Sequence, residues 1–369
     1  MQTNKIAVSI FSTTWGHESL GIAVEDALKN NYQTSLNFIK PPKLGSKSYT
    51  ILYQLFPNLG KVPFKISETD QVSRIATKYL YKLYIKEIEE IIKKQKPKFV
   101  ISVYFAFSLV LEKIAKKYGF TLINIIADPR SFHKISVFPN AYNLVFDKKS
   151  VDYCKKLKID PKHCIQSGWF VRNEFQQKGN KEKARISLGI NPKLFTICVI
   201  GGSEGTLDIL KILPAFLKNG KKIQVIFVCG RNKKLFNFLQ SFLKVLEINN
   251  QNTKFILKGF IKDTYTYLQS SDLIIGKAGP NVLFESVAAQ RPFLAISHIS
   301  GQEDGNLEII KEYKIGFIEE DLIKAIKLTN NIIDNPKILD RFSNPLKKLS
   351  EYNSNSFKVL NRLIASKIK

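Results

Sequence analysis

The sequence contains little cysteine and no hydrophobic run long enough to cross a membrane. Its four cysteines, Cys154, Cys164, Cys198 and Cys229, show no CxxC spacing, which favours buried free thiols in a reducing compartment. The longest apolar stretch, Phe99–Leu111, has 13 residues, whereas a helix needs about 20 to span a bilayer. The first residues also lack the basic region and apolar core of a signal peptide. We therefore expect a cytoplasmic protein that has no membrane span.

Acidic residues are also scarce, since 31 Asp and Glu stand against 57 Lys and Arg and leave a net charge of +26. Such a surface favours an anionic partner, either a nucleic acid or an anionic lipid face. The lysines are spread through nearly every predicted helix, and a lysine-rich genome would produce the same excess. Charge alone therefore permits a membrane or nucleic-acid function without assigning one.

Short apolar runs alternate with amphipathic stretches in both halves of the chain, which is typical of parallel α/β sheets. Two doubly wound α/β domains in tandem fit this alternation better than one large sheet. We place the first domain at residues 1–172, a polar and basic linker at 173–192, and the second domain at 193–350. Residues 351–369 have helical periodicity and are predicted to pack back on the first domain.

The predicted strands are short and rich in Ile, Val and Phe. They cover Ile6–Phe11, Ser35–Ile39, Phe99–Val103, Thr121–Ile126, Leu144–Phe146, Phe195–Ile200, Gln224–Cys229, Lys254–Leu257, Leu273–Ile275 and Phe293–Ile296. The helices predicted between them include Glu18–Lys29, Ser73–Lys94, Leu109–Tyr118 and Leu207–Leu217.

A glycine-rich turn follows the first predicted strand of the second domain and precedes the predicted helix Leu207–Leu217. Glycines let a backbone approach a ligand closely, and a helix N-terminus offers free N–H groups and a positive dipole end. This combination suits a diphosphate, and a tight turn without a ligand is the alternative. The turn consists of Gly201, Gly202, Ser203, Glu204, Gly205 and Thr206.

Two further segments of the second domain follow predicted strands. Phe260 and Ile261 lie where a nucleobase could meet backbone groups. Pro280 is placed to start a helix, and Glu285 lies about one turn beyond Asn281. A carboxylate at that position can accept hydrogen bonds from both hydroxyls of a ribose, although a solvated surface position is the alternative.

A polar loop, SGQEDGN at residues 300–306, follows the last predicted strand, and its Gln302, Glu303 and Asn306 carry groups that could hold sugar hydroxyls. The ordered motifs GGSEG, GFI, KAGPNVLFE and GQEDGN resemble the C-terminal domain of glycosyltransferase family 28 over about Phe195–Gly316. That family includes the monogalactosyldiacylglycerol synthases, the processive diacylglycerol glucosyltransferases and the enzyme that adds N-acetylglucosamine in lipid II synthesis.

The resemblance implies the GT-B fold, in which two Rossmann-like α/β domains face a central cleft that holds a UDP-sugar. It implies that the turn Gly201–Thr206 holds the diphosphate, that the backbone near Phe260 and Ile261 meets uracil, and that Glu285 binds the ribose. The remaining implied donor-binding residues are Lys277, Gly279, Asn281, Gln302, Glu303 and Asn306.

In the first domain, Gly16 and His17 follow the first predicted strand and resemble the family's turn ending in Gly-His. The resemblance implies that His17 is the general base, since a histidine can take a proton from an acceptor hydroxyl. Thr14 and Trp15 depart from the family pattern, because they replace small residues. The loop is therefore bulkier than in the family.

Asp128 and His133 resemble an Asp and a His of the diacylglycerol branch. By that resemblance Asp128 is catalytic, either orienting His17 or contacting the acceptor, whereas Gly16 and His133 bind the acceptor. An Asp that only caps the next turn is the alternative. The aromatic stretch Tyr49–Phe64 corresponds to the membrane-facing acceptor site of the lipid branch, with core packing as the alternative.

We expect an inverting transfer of a hexose from a UDP-sugar to a diacylglycerol-type lipid, by a protein peripheral to the inner face of the cell membrane. The sequence has no Asp-x-Asp triplet and no His/Cys cluster, so we expect no metal and no cofactor besides the donor. N-acetylglucosamine transfer to a polyprenyl-diphosphate lipid is one alternative, and a sugar-nucleotide epimerase of the same fold is another. A nucleic-acid partner is not expected, because it would leave the ordered motifs unexplained.

Two lysine-rich segments of the first domain predict contact with an anionic membrane surface. They contain Lys93, Lys94, Lys96 and Lys98 in the first and Lys148, Lys149, Lys155, Lys156, Lys158 and Lys162 in the second.

Overall fold

The computed structural model describes residues 5–14, 16–41, 70–177, 179–217, 220–249 and 252–368. These residues form two compact units. The first unit contains the described residues up to Asn173 together with those from Tyr352 onward, and the second contains Glu174–Glu351. The aromatic stretch Tyr49–Phe64 and Trp15 lie outside the described residues.

The first unit is built on a sheet of six parallel strands in the order β2-β1-β3-β4-β5-β6. Strand β3 consists only of buried residues, and β1 is buried except at its first residue, because helices cover both faces of a parallel sheet. The strands are β1 Ala7–Ser12, β2 Gln33–Phe38, β3 Phe99–Ser102, β4 Thr121–Ile125, β5 Tyr142–Val145 and β6 Cys164–Gln166.

Helices connect these strands and bury their apolar faces against the sheet. Ile88 and Ile92 of the second helix pack in one buried cluster with Phe107 and Leu111 of the third. The helices before the unit boundary are α1 Gly16–Leu28, α2 Asp70–Gln95, α3 Phe105–Tyr118 and α4 Lys148–Lys156.

The second unit repeats the plan with six parallel strands in the order β12-β11-β10-β7-β8-β9. Its strands are β7 Phe195–Ile200, β8 Ile223–Val228, β9 Thr253–Lys258, β10 Leu273–Lys277, β11 Phe293–Ser297 and β12 Gly316–Ile318. The following helices are α5 Lys181–Ser187, α6 Lys233–Asn249, α7 Thr264–Ser270, α8 Pro280–Ala288, α9 Asp304–Tyr313, α10 Leu322–Asp334, α11 Ser343–Ser354 and α12 Ser356–Ser366.

The last helix lies on the first unit. The Asn361 side-chain amide donates to the carbonyl oxygen of Ala27 at 2.8 Å, and the Asn353 side chain accepts from the Trp169 N–H at 3.0 Å. Buried Leu360 and Ile364 give α12 its apolar face. The polypeptide therefore returns to the first unit after completing the second.

The stretch predicted as a linker, 173–192, is largely part of the second unit. Its helix α5 places Arg185 in a buried position, where the guanidinium donates to the Ser270 carbonyl at 2.8 Å and to Asp272 at 2.5 Å. A buried arginine needs such partners, because a buried charge without them destabilises the fold by roughly several kcal/mol. Arg185, one of the basic residues of this stretch, is therefore buried in the second unit rather than exposed in a linker.

The segment predicted as an α-helix at Leu207–Leu217 is a 3₁₀ helix over Leu207–Phe216. Pro214 lies inside it, and proline lacks the N–H that an α-helical hydrogen bond needs. The helix α3 begins at Phe105 rather than Leu109. Two three-residue strands, β6 and β12, were not predicted, because so few residues show no periodicity.

Both sheets contain a point at which the strand order changes direction. In the first sheet it lies between β1 and β3, and in the second it lies between β7 and β10. Ligands of such sheets bind outside the carboxyl ends of the strands at this switch point. The segments predicted to bind the donor all follow carboxyl ends of the second sheet.

Candidate functional site

The glycine-rich turn lies at the carboxyl end of β7, at the switch point of the second sheet. Within it the Gly205 N–H donates to the Gly202 carbonyl at 3.3 Å, and the Thr206 N–H donates to the Gly201 carbonyl at 2.9 Å. Two of the turn's N–H groups are thus used by the turn itself. The donors left for a diphosphate are the N–H groups of Gly202, Ser203 and Glu204.

The end of the turn is not an α-helix N-terminus as predicted. The Thr206 hydroxyl accepts from the Asp208 N–H at 3.3 Å and so caps the 3₁₀ helix that follows. Such a short, tight helix aligns fewer peptide dipoles than an α-helix does. Anion binding here would depend mainly on the N–H groups of the turn.

A second loop, which follows β8, supports the turn. The Arg231 N–H donates to the Ser203 carbonyl at 2.8 Å, and the Asn232 side chain donates to the Gly205 carbonyl at 2.8 Å. Gly230 has φ +56°, and a Cβ atom there would lie 2.4 Å from the Gly202 carbonyl oxygen. Only glycine therefore permits this close approach of the two loops. The Gly-Arg-Asn sequence directly after a buried strand is the signal by which this loop could have been found.

Arg231 also connects the turn with the predicted nucleobase position. Its guanidinium carbon lies 4.1 Å from the centre of the Phe260 ring, and its Nη1 lies 3.4 Å from a carboxylate oxygen of Glu204. The Phe260 residue is 47% exposed, so an aromatic surface faces solvent at the end of β9. The pairing offsets the negative charge that Glu204 would otherwise present to a diphosphate. Ile261 follows and is partly buried.

The loops after β10 and β11 are joined by an ion pair between Lys277 and Glu303. Glu303 is buried, and its second carboxylate oxygen accepts from the Ile299 N–H at 2.7 Å. A Cβ atom on Gly279 would lie 3.4 Å from the Lys277 ammonium, so this glycine borders the pair. The Lys277 charge is thus held beside the loop that is predicted to bind the sugar.

Asn306 connects the same two loops by hydrogen bonds. Its side-chain amide donates to the Ala278 carbonyl at 2.7 Å, and its own N–H donates to the Glu303 carbonyl at 2.9 Å. Asn306 is buried, whereas Asn281 and Gln302 are partly exposed at the same edge of the sheet. The residues predicted for the sugar and for the diphosphate therefore lie at the same edge of the sheet, after the neighbouring strands β7, β10 and β11.

Glu285 occupies the second turn of α8 and is only 5% exposed. Its carboxylate accepts from the Thr264 hydroxyl at 3.1 Å. A solvated surface position is therefore excluded. A carboxylate is rarely buried unless its oxygens accept hydrogen bonds. Nothing in the sequence indicated that Thr264 would donate one to Glu285.

His17 is the second residue of α1, at the carboxyl end of β1. Its Nδ1 lies 2.7 Å from the carbonyl oxygen of Val103, which follows β3. Because a carbonyl oxygen only accepts, Nδ1 must carry the proton, and Nε2 is left with its lone pair. The His17 ring also lies 4.9 Å from the Tyr104 ring.

The surroundings of His17 keep its imidazole neutral. Burial lowers the pKa of His17 to about 4, and the hydrogen bond to Val103 opposes this shift only in part. The residue nevertheless remains partly exposed. At neutral pH the side chain is therefore a neutral base whose tautomer is set by the backbone carbonyl of Val103.

The other predicted residues of the first unit are not partners in the hydrogen bond between His17 and Val103. Val103, and not Asp128, holds Nδ1 of His17. Burial raises the pKa of Tyr104 above its usual value, and the nearby Tyr84 and then Asp128, which follows β4, add to this shift. His133 is buried, and its Nδ1 accepts from the Ile135 N–H at 3.1 Å, which caps a short 3₁₀ helix. Gly16 is exposed at the start of α1.

Comparison with known proteins identifies the family that part of the second unit resembles. Residues 196–308 match the glycosyltransferase family 28 C-terminal domain. Monogalactosyldiacylglycerol synthase 2 of Arabidopsis thaliana is 25% identical over 342 residues, which cover 85% of this chain and 70% of that protein. A processive diacylglycerol beta-glucosyltransferase of Bacillus licheniformis is 23% identical over 295 residues, covering 77% and 74% respectively.

Solved structures share the fold at low sequence identity. TcCGT1 in complex with UDP aligns with a TM-score of 0.66 at 13% identity, over 98% of both chains. A protein described as a UDP-N-acetylglucosamine 2-epimerase from Listeria monocytogenes aligns with a TM-score of 0.64 at 16% identity, over 98% of this chain and 95% of that one. The second unit contains a glycosyltransferase family 28 C-terminal domain, and the chain is a glycosyltransferase with two Rossmann-like domains of the GT-B type.

Proposed function

We propose that this enzyme transfers a hexose from a UDP-sugar to the hydroxyl of a diacylglycerol-type lipid, with inversion at the anomeric carbon. The observation that carries the mechanism is the hydrogen bond from His17 Nδ1 to Val103, because it leaves Nε2 as a proton acceptor. The relatives named for diacylglycerol glycosyl transfer support the acceptor class. The UDP complex of a protein with the same fold supports the nucleotide.

In the proposed reaction His17 Nε2 takes the proton of the acceptor hydroxyl as its oxygen bonds to the anomeric carbon. The bond from that carbon to the diphosphate oxygen breaks, and its electron pair leaves with UDP. A single displacement of this kind inverts the anomeric configuration. The N–H groups of Gly202, Ser203 and Glu204 would stabilise the departing diphosphate, since preorganised donors favour developing negative charge.

The donor would be held at the carboxyl edge of the second sheet. Glu285 would accept from the ribose hydroxyls, and the Phe260 ring with its stacked Arg231 would lie near the base. Lys277 and Glu303 would meet the sugar end of the donor, where they are paired. The donor site would thereby be assembled from loops that follow β7, β8, β9, β10 and β11.

The direct test is to incubate the protein with a panel of UDP-sugars and with diacylglycerol, then identify products by mass spectrometry. A hexosyl-diacylglycerol product is expected. Transfer only to a polyprenyl-diphosphate lipid would contradict the acceptor class. Conversion of a UDP-sugar to its epimer without any acceptor would contradict glycosyl transfer itself.

We further propose that the chemistry needs no divalent metal ion. No group of three or more potential metal ligands occurs among the described residues. Activity is expected to be unchanged after treatment with EDTA, measured as product formed per minute against an untreated control. Loss of activity that returns on adding a divalent ion would contradict this prediction.

We propose that only one of the two lysine-rich segments contacts the membrane, namely the one that contains Lys148 and Lys149. None of the helices in the described ranges combines the length and the apolar content that a membrane span requires. Lys148 and Lys149 begin α4 after the carboxyl end of β5, on the same edge of the sheet as His17. Lys93 and Lys94 end α2 before β3 and so lie at the opposite edge.

This placement makes a specific vesicle-binding prediction. Each lysine near an anionic surface contributes about 1 kcal/mol, so replacing Lys148 and Lys149 by glutamine should weaken binding to anionic vesicles roughly 10- to 30-fold. The matched replacement of Lys93 and Lys94 should change it less. Co-sedimentation at low and high ionic strength measures both. Equal losses in the two variants would show that the edge nearest His17 is not the membrane-facing one.

A further inference from the structure

His298 lies directly after β11 and meets a carboxylate at each ring nitrogen. Its Nδ1 is 2.7 Å from an oxygen of Glu320, and its Nε2 is 3.0 Å from an oxygen of Asp304. Carboxylates at neutral pH only accept hydrogen bonds, and a neutral imidazole has a single N–H. Both contacts can be hydrogen bonds only when the ring is an imidazolium cation. The His298 side chain is 13% exposed, whereas the side chains of Asp304 and Glu320 are 41% and 37% exposed.

The carboxylate of Asp304 also shapes the loop that precedes it. The same oxygen that meets His298 accepts from the Gly301 N–H at 2.8 Å. Gly301 has φ +91°, a backbone conformation that side-chain-bearing residues rarely adopt. Asp304 is the first residue of α9, and the loop between Gly301 and Asp304 carries Gln302 and Glu303. His298 therefore contacts the same Asp304 oxygen that accepts the Gly301 N–H of this loop.

Glu320 connects Nδ1 of the His298 ring to the end of β12, at the edge of the sheet. It follows β12, and the preceding residue Glu319 donates its N–H to the Ala295 carbonyl of β11 at 2.9 Å. The loop at 299–306 is thus connected through one imidazole ring to the exit of strand β12. The two carboxylates bind opposite ring nitrogens and so cannot converge on a metal ion with the ring.

We propose that His298 is a positioning residue which, as an imidazolium cation, links the 299–306 loop to β12 and thereby sets the affinity for the sugar of the donor. The inference rests on the proposed function, in which this loop holds the donor sugar. His298 itself would not touch the reacting atoms. Its effect would pass through Asp304 to Gly301 and from there to the position of Gln302 and Glu303.

The proposal predicts a pH dependence with a definite sign. Burial lowers the pKa of His298, but the hydrogen bonds and charges of Glu320 and Asp304 outweigh it, so the pKa lies above its usual value. These two carboxylates are the charged groups that act on the ring among the described residues. The link is complete at pH values below about 6.5 and is lost as pH rises through the raised pKa. Affinity for the donor sugar should fall over the same range.

The test compares His298→Ala and Glu320→Ala, each of which removes a hydrogen-bonding group from the link, with the neighbouring control Glu319→Ala. Titration calorimetry at pH 6.5 would measure the affinities for UDP and for the UDP-sugar that the enzyme uses. Both variants at the link are expected to weaken UDP-sugar binding about tenfold, because a charge-assisted hydrogen bond is lost, while UDP affinity stays unchanged. The double variant should lose no more than either single one, since each removes the same link. The control should match the wild type.

A ligand-free measurement separates this inference from the proposed function. Amide hydrogen exchange of residues 299–306 should be faster in both variants at the link, and the NMR signal of the His298 ring should titrate above pH 6.5. Unchanged exchange, or titration at or below pH 6.5, would overturn the proposal whatever the enzyme binds. A wild-type protein that binds no UDP-sugar, yet shows the faster exchange in its variants, would instead contradict the proposed function and leave the link in place.

Discussion

Replacing His17 by alanine is expected to lower the turnover number about 100-fold or more while UDP affinity stays nearly unchanged. A positioned general base contributes roughly 100- to 10,000-fold, and the alanine variant has no group that can take the acceptor proton. His17 belongs to the first unit, whereas the predicted nucleotide contacts belong to the second, so we expect nucleotide binding not to depend on it. Steady-state kinetics with saturating UDP-sugar and lipid would measure the turnover, and calorimetry would measure UDP binding.

The control for this variant is His17→Asn. An asparagine amide can still donate to the Val103 carbonyl, which His17 Nδ1 contacts at 2.7 Å, but it cannot act as a base. The asparagine variant should therefore lose as much turnover as the alanine variant while keeping the local structure. Near wild-type turnover in the asparagine variant would show that His17 acts through its hydrogen bond and not through proton transfer.

The lowered pKa of His17 sets the acid limb of the pH profile. Because burial lowers this pKa to about 4, the base form is present throughout the neutral range and is lost only near pH 4. Between pH 6.5 and 4 the unfolded chain binds a proton at this residue and the folded chain does not, so this residue makes the fold less stable as pH falls. An acid limb of kcat/KM near pH 6.5 would contradict the lowered pKa of His17, and the absence of any change in the acid limb in a variant without the imidazole would contradict its role as the base.

Replacing Glu285 by alanine is expected to weaken UDP binding by about 1–3 kcal/mol, which is roughly 5- to 150-fold. The carboxylate is buried and already accepts from Thr264, so it is oriented before the nucleotide arrives. UDP and the UDP-sugar should lose equal affinity, because the predicted contact is with the ribose that both contain. Calorimetry with each ligand measures this, and a thermal melt shows whether the variant is folded.

A nucleotide without the ribose 2′-hydroxyl makes the test of Glu285 more specific. The wild type should bind 2′-deoxy-UDP more weakly than UDP, whereas the Glu285→Ala variant should bind the two alike. Thr264→Val is the matched control, since it removes the partner of Glu285 and retains the carboxylate. Should the alanine variant still distinguish the two nucleotides as the wild type does, the carboxylate does not contact that hydroxyl.

The order of motifs along the chain was sufficient to predict two parallel sheets and the edge at which the predicted donor-binding residues lie. This follows from a simple property of parallel sheets, since residues after successive strands all arrive at the carboxyl edge. The glycine-rich turn, Lys277 and the 299–306 loop are found there, although they are far apart in the sequence. The buried cysteines follow from the same patterns, and all four are buried free thiols.

Features that depend on a few residues were predicted less well. Strands β6 and β12 have three residues each, too few to show an alternation. The 3₁₀ helix after the glycine-rich turn has an apolar pattern close to that of an α-helix, and only Pro214 indicated otherwise. The polar stretch at 173–192 suggested a linker, because two partners of Arg185, Ser270 and Asp272, lie more than 80 positions further along the chain.

The sequence by itself determined the class of fold, the family of the second domain and which residue types stand at the ends of its strands. Only the tertiary structure decided what those residues can do. His17 obtains its tautomer from a carbonyl 86 positions away, Arg231 stacks on Phe260, and His298 joins Asp304 to Glu320. The reason is physical: periodicity and spacing report local backbone structure, whereas protonation states and ion pairs are set by atoms brought together across the sheet.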